Sequence, residues 1–259
     1  MISWLTELHP ALGAPLSACT AVALGLASYA SARVLVGRKA SAESSDLAIN
    51  LFRVIATVLS LLLSLTFASL REETTETRRS VELEAAQLGR TFRDLELFGT
   101  AESRAARDLL LIYLDAIPED EWAQLRDGRL SGETDATFGA AKRAIYELAP
   151  ETLLQERVMN RLLQDIDEVN VTRAVRLTHR GATGAHGVFL AFTVMGFLWT
   201  TALLGVYAPT GRALTFVTFY CAFFGVVIHI TLDLAYYYTG MAAVTPEPFE
   251  FLAHLVRSR

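Results

Sequence analysis

Residues 47–98 read LAINLFRVIATVLSLLLSLTFASLREETTETRRSVELEAAQLGRTFRDLELF, and the way this stretch divides decides the fold. From Leu47 to Leu70 the only charged residue is Arg53. A helix crossing about 30 Å of hydrocarbon at about 1.5 Å per residue needs about 20 mainly apolar residues, so this half is long enough to span a membrane. At Arg71 the composition inverts to acids and bases of alternating sign, yet no glycine or proline interrupts before Gly89. The pattern predicts one helix that crosses the bilayer and continues out of it as a charged rod.

The rest of the chain repeats this division. It has 259 residues, is 52% hydrophobic and carries a formal charge of -5, but 16 of its 23 Lys and Arg and 22 of its 28 Asp and Glu lie within residues 71–184. A single soluble globule does not segregate charge in this way. Three further apolar stretches of spanning length occur, Pro15–Val36, His186–Tyr207 and Ala213–Tyr236. The expected fold is therefore all-α: an integral membrane protein with four transmembrane helices and a helical cytoplasmic insert between the second and third. Its parts are a first transmembrane hairpin (1–70), a helical polar domain (71–184), a second hairpin (185–238) and a C-terminal tail (239–259).

Arg33 and Arg53 lie near span ends, where their long stems are expected to carry the charge to the headgroups. Tyr236, Tyr237 and Tyr238 suit the interface at the exit of the fourth span, and Trp4 and Trp199 suit similar positions. Ala30-Ser31-Ala32 resembles a signal-peptide cleavage site. The first dozen residues lack Lys and Arg, however, and the apolar stretch exceeds an ordinary signal core, so a retained span is expected. Four spans place both termini on one side. Arg33, Arg38, Lys39, Arg53 and Arg212 flank one face, whereas Arg71, Arg78, Arg79, Arg90, Arg173, Arg176, Arg180, Arg257 and Arg259 flank the other. The positive-inside rule then favours a plasma (inner) membrane protein with cytoplasmic insert and termini.

Within the insert, Ala106, Leu109, Leu110, Tyr113 and Leu114 repeat at helical spacing over about Ser103–Ile117, and Pro118 is expected to stop that helix. Asp127-Gly128 and Ser131-Gly132 mark a loop, and a short helix over about Thr134–Leu148 follows. Pro150 is expected to open a long helix with the stripe Met159, Leu163, Ile166, Asn170, Arg173 and Leu177. Asn170 and Arg173 would then be either buried and paired or placed at a wet mouth. Gly181, Gly184 and Gly187 suggest either a hinge or close helix packing before the third span.

Catalytic signatures are absent: the chain has no GxxxxGK[ST], GxSxG, HExxH or CxxC sequence. His9, His179, His186, His229 and His254 are scattered. His179 and His186 share a helical face, but two histidines make no metal site without further ligands. Glu82 and Glu84 point to different faces of a helix and read as solvated charge. Asn170-Val171-Thr172 matches a glycosylation sequon but falls in the segment assigned to the cytoplasm. Mixed charge argues against nucleic acid as a partner. Cys19 and Cys221 lie in apolar stretches and do not form a secreted disulfide framework. No enzyme and no cofactor is expected.

Two polar constellations remain on the membrane side. Arg53, Thr57, Ser60, Ser64, Phe67 and Arg71 follow a four-three spacing and share one face of the second span. In one reading, copies of this helix surround a pore, with hydroxyls lining it, Phe67 as a neck and the arginines as positive rings that select anions. In the other, the hydroxyls bond back to their own helix or allow close packing, and the arginines sit at headgroups. His229 and Asp233 lie one turn apart near the exit of the fourth span, where a carboxylate is costly unless paired or wet. An ion pair to Arg71, Arg176 or Arg180 is the plainer expectation, and a proton relay the bolder one.

The run Asp233-Leu234, Gly240, Val244, Pro246, Pro248, Phe249 resembles the ending of a family of mostly bacterial, four-span membrane proteins of undefined function described as bestrophin-like. Arg173 and Arg176 before the third span, and Glu84, Ala85 and Gly89 after the second, are similar to other recurring features of that family. The family commonly shows Asp-Arg-Pro after the aspartate, where this chain has Ala235, Tyr236 and Tyr237. Bestrophins, its distant namesakes, are pentameric chloride channels whose second span lines the pore above a cytosolic vestibule. The resemblance thus implies a homo-oligomeric, pentameric, bestrophin-like ion channel in membrane lipid, passing a small inorganic ion such as chloride. The alternative is a non-conducting scaffold or sensor whose helical insert binds a partner.

Overall fold

The computed structural model describes residues 10–35, 42–178, 184–240 and 242–258. Trp4, His9, Arg38, Lys39, His179, Arg180, Gly181 and Arg259 lie outside the described residues. Those described form helices and no strand. Four helices are long and apolar enough to cross a membrane. The chain divides into two compact units, one of residues 1–72 and 182–242, the other of 73–181 and 243–259.

The first unit contains α1 (Pro10–Leu35), the leading part of α2 (Ala42–Phe98), α7 (Gly184–Leu204) and α8 (Gly211–Ala235). Helix α1 packs on α8 and α7. Lipid is as apolar as these side chains, so close backbone approach rather than water exclusion holds such helices together. Gly225 of α8 lies so near α1 that a β-carbon there would stand 2.6 Å from the Ser17 carbonyl and 2.8 Å from Ala18 Cα. Gly25, two turns along α1 from Ser17, is filled in the same way by Cys221 of α8. Leu59 of α2 joins this core, against Gly196 of α7. Arg33 donates to the Val206 carbonyl at 3.1 Å, so its charge meets the carbonyls that follow α7.

The second unit contains the rest of α2, then α3 (Ala101–Ala116), a π-helical turn (Ile117–Glu121), α4 (Trp122–Arg126), α5 (Gly132–Tyr146), α6 (Leu153–Thr178) and α9 (Glu247–Arg257). α2 is unbroken over 57 residues. Its sole glycine, Gly89, sits beneath Leu252 of α9. It ends at Gly99, whose φ of 78° is left-handed. A capping box between Thr100 and Ser103 then starts α3. The α-helix α3 ends at Ala116, just before Pro118 as expected, but the chain continues in a π turn. Pro118 falls in the first turn of the π segment, where a missing N–H costs nothing, and α4 continues directly. The long α6 begins at Leu153, not Pro150: Thr152 Oγ1 accepts from the Gln155 N–H, and Gln155 Oε1 accepts from the Glu151 and Thr152 amides.

The inward face of α6 also differs from expectation. Val158, Leu162, Asp165, Ile166, Val169, Arg173 and Arg176 are buried, whereas Asn170 is exposed. Both neighbouring stripes of α6 are partly apolar, and the one facing its partners begins one residue earlier than the stripe predicted. The segment read as a tail includes α9, which buries Phe249, Leu252, Ala253 and Val256.

Candidate pore helix and buried ionic cluster

The membrane half of α2 is the least covered of the spans. Arg53, Thr57, Ser60, Ser64, Phe67 and Arg71 are all exposed in the protomer, and so are Val54, Val58, Leu61 and Leu65. Thr57 and Ser60 donate to the carbonyls of Arg53 and Ala56, each at 2.8 Å. Their hydrogens are spent within the helix, which leaves hydroxyl lone pairs on the outer surface. Arg53 Nη1 reaches Asn50 Oδ1 at 3.5 Å.

At the end of the fourth span, His229 and Asp233 are both buried, 4% and 7% exposed. His229 Nδ1 lies 3.4 Å from Ser17 Oγ of α1. The chain leaving α8 turns back so that Gly240, with φ 86°, abuts the Asp233 carboxylate, which occupies the space a β-carbon at 240 would need. Only glycine meets both conditions. Tyr237 and Tyr238 are buried, while Trp199 is exposed.

The second unit encloses a charged centre. The Arg176 guanidinium, with 0% of its side chain exposed, donates through Nε to Glu84 Oε2 at 2.7 Å and through Nη2 to Glu84 Oε1 at 3.1 Å. The same Nη2 reaches Glu121 Oε2 at 2.6 Å. Arg173 bonds the other Glu121 oxygen at 2.7 Å and Asp135 at 2.8 Å, and the Tyr113 hydroxyl donates to Glu84 at 2.8 Å. Aromatic rings cover both arginines: Trp122 and Phe249 lie 5.4 and 5.5 Å from Arg176, Phe138 and Tyr113 5.2 and 5.7 Å from Arg173. Trp122 Nε1 in turn donates to the Val244 carbonyl.

Burial opposes the charge on Arg176, but Glu84 and then Glu121 outweigh it and hold the guanidinium well above its ordinary pKa. Burial first, then the Glu84 charge, push the Tyr113 phenol well above its usual range. Two guanidinium groups thus face the two buried carboxyl groups of Glu84 and Glu121, the pairing a buried charge requires. Glu84, read as solvated charge, is fully buried, while Glu82 is exposed. Trp122, which its place in the polar insert marks for packing, is buried here, whereas Glu121 and Phe138 escaped the sequence reading. The signal was phase: Glu84 falls in step with Val81 and Leu88, and Arg173 and Arg176 continue the buried series Leu162, Ile166, Val169. Among the described residues, no cluster of His, Cys, Asp and Glu could hold a metal ion.

Glu84, Arg173, Arg176, Val244 and Phe249, which carry much of the likeness noted in the sequence, thus meet in this one cluster. The bestrophin-like domain matches residues 19–249, from within α1 to the start of α9. The chain belongs to the bestrophin-like domain family. Nothing among the curated proteins or the solved structures matches it. The bestrophin-like domain here is a helical membrane protein whose charged helices form a unit of their own.

Proposed function

We propose that this bestrophin-like protein is an oligomeric membrane channel for small anions, chloride among them, with copies of α2 around a central axis. The observation that carries the reading is the polar face of α2, from Arg53 through Thr57, Ser60 and Ser64 to Arg71, which is exposed in the protomer. Lipid gives such a face no partner, whereas a water-filled axis does. Because the Thr57 and Ser60 hydrogens are spent on backbone carbonyls, attraction of an anion falls to Arg53 and Arg71, and Phe67 forms the neck between them. Family membership supports a pentamer. Charge distribution supports a plasma (inner) membrane location with the charged unit and both termini in the cytoplasm.

Chloride flux into vesicles and single-channel recording of the purified oligomer test this. Wild-type protein is expected to conduct, Phe67→Ala to raise unitary conductance, and Arg71→Ala to lower anion over cation permeability. A chain that stays monomeric in mild detergent and gives no flux sinks the reading. The protein would then be a scaffold or sensor acting through its charged helices.

A further inference from the structure

We propose that the membrane unit seats a segment of one phospholipid acyl chain in a cavity between α2, α7 and α8. The inference rests on the membrane-spanning character of these helices, not on conduction. The cavity measures about 150 Å³ and is walled by Leu63 and Thr66 of α2, Leu190 and Thr193 of α7, and Ile228 and Thr231 of α8. Three hydroxyls in such a wall would invite water if they were free. Each is committed: Thr66 donates to Leu62, Thr193 to Phe189 and Thr231 to Val227, all to backbone carbonyls at 2.9 Å. The threonines therefore present methyl groups and spent hydroxyls, and a water entering would find few of the 2–4 polar partners it needs.

Apolar cavities of about 150 Å³ stay dry even in soluble proteins and accept hydrocarbon the size of benzene. Here the surrounding medium is itself hydrocarbon, supplied as phospholipid acyl chains. Gly187 belongs to the cavity wall, and a β-carbon there would meet nothing within 4 Å, so α7 leaves room at this point. An inserted chain also completes the support of α2, whose only buried side chains between Leu47 and Leu70 are Ala48, Leu59 and Leu70.

The full chain, reconstituted in phosphatidylcholine vesicles containing a lipid with a photoreactive acyl chain, provides the test through crosslinked peptides mapped by mass spectrometry. Labelling of the Leu63, Leu190 and Ile228 peptides should saturate at one lipid per chain, while the exposed belt at Phe216 and Phe219 labels without saturation. Thr193→Phe, which fills the cavity, should lower the cavity label by about tenfold, the ratio that about 1.4 kcal/mol of lost affinity produces. The belt label should not change. Gly187→Leu narrows the same wall and serves if Thr193→Phe does not fold. Equal labelling of cavity and belt, or cavity labelling indifferent to both variants, overturns the proposal. So does label displaced by detergent monomer but not by unlabelled lipid, or subunit-to-subunit crosslinks in place of lipid adducts. Loss of chloride flux with saturable labelling intact would count against the channel alone.

Discussion

The two units solve the same problem, holding helices together, with opposite chemistry. In the membrane unit α1 and α8 approach through Gly25, Ala21, Ser17 and Gly225, and Arg53, Thr57, Ser60 and Ser64 of α2 are exposed. In the second unit, whose helices carry most of the chain's charge, charges lie at the centre, with Arg176 and Glu84 fully enclosed. Geometry dominates where solvent offers no hydrophobic drive, and a buried ion pair persists where carboxylates face each guanidinium. The difference teaches that polar residues must be judged by their partners. Arg53 and Arg176 are the same residue type with opposite fates.

The largest way to break the contrast is Arg176→Met. It leaves Glu84 and Glu121 buried with much of their countercharge removed, and should cost about 3–5 kcal/mol of stability, measured by denaturant unfolding of the second unit's signal. A triple variant, Arg176→Met with Glu84→Gln and Glu121→Gln, should recover part of that loss. If Arg176→Met alone is neutral, the cluster is not a closed ionic centre. On the membrane side, Gly225→Ala puts a methyl group into the Ser17 backbone, and overpacking of this kind costs about 1–3 kcal/mol. Thermal aggregation in detergent should begin at lower temperature for Gly225→Ala, whereas Gly139→Ala, where a β-carbon meets nothing within 4 Å, serves as the control.

The smallest effect concerns a surface carboxylate. Hydrogen bonds from the Ser131 hydroxyl first, and also from Thr134, hold the Asp120 carboxyl below the usual carboxylate range. A depressed folded pKa means that Asp120 contributes stability above the unfolded value of about 3.9, lost as pH falls through the lower folded value. Ser131 also caps α5. Ser131→Ala should therefore cost about 1 kcal/mol at neutral pH and flatten the decline of melting temperature between neutral and acidic pH. An unchanged acid slope would remove Asp120 from that role.

The four spans were legible because hydropathy accumulates over about 20 residues and needs no knowledge of partners. The long α2 was legible for a related reason, the lack of any breaker between Ala42 and Gly89. What could not be read locally was pairing. Glu84 and Arg176 are 92 residues apart, and a glutamate beside Glu82 looks solvated until the arginine is set against it. The inward face of α6 was missed by one residue because Met159 and Leu163 rival Val158 and Leu162 in apolarity, and only the partner helices break the tie. Pro118 does end the α-helix before it, at Ala116, but the π turn that follows could not be foreseen from the proline alone. The outward polar seam of α2 was visible as spacing alone, which fixes a common face but not what that face meets.

The ionic cluster also carries a consequence for synthesis. Its parts leave the ribosome in the order Glu84, Glu121, Arg173, Arg176 and, last, Phe249 on α9. Between Arg176 and Phe249 the chain must deliver both α7 and α8 to the membrane. The second unit therefore waits, with one face of its arginine uncovered, until the final two spans have been made, and closing α9 over Arg176 becomes the last act of assembly. A nascent chain stalled before residue 243 would present that unfinished surface to chaperones and proteases, so completion of the membrane domain is reported by the folding of the charged one.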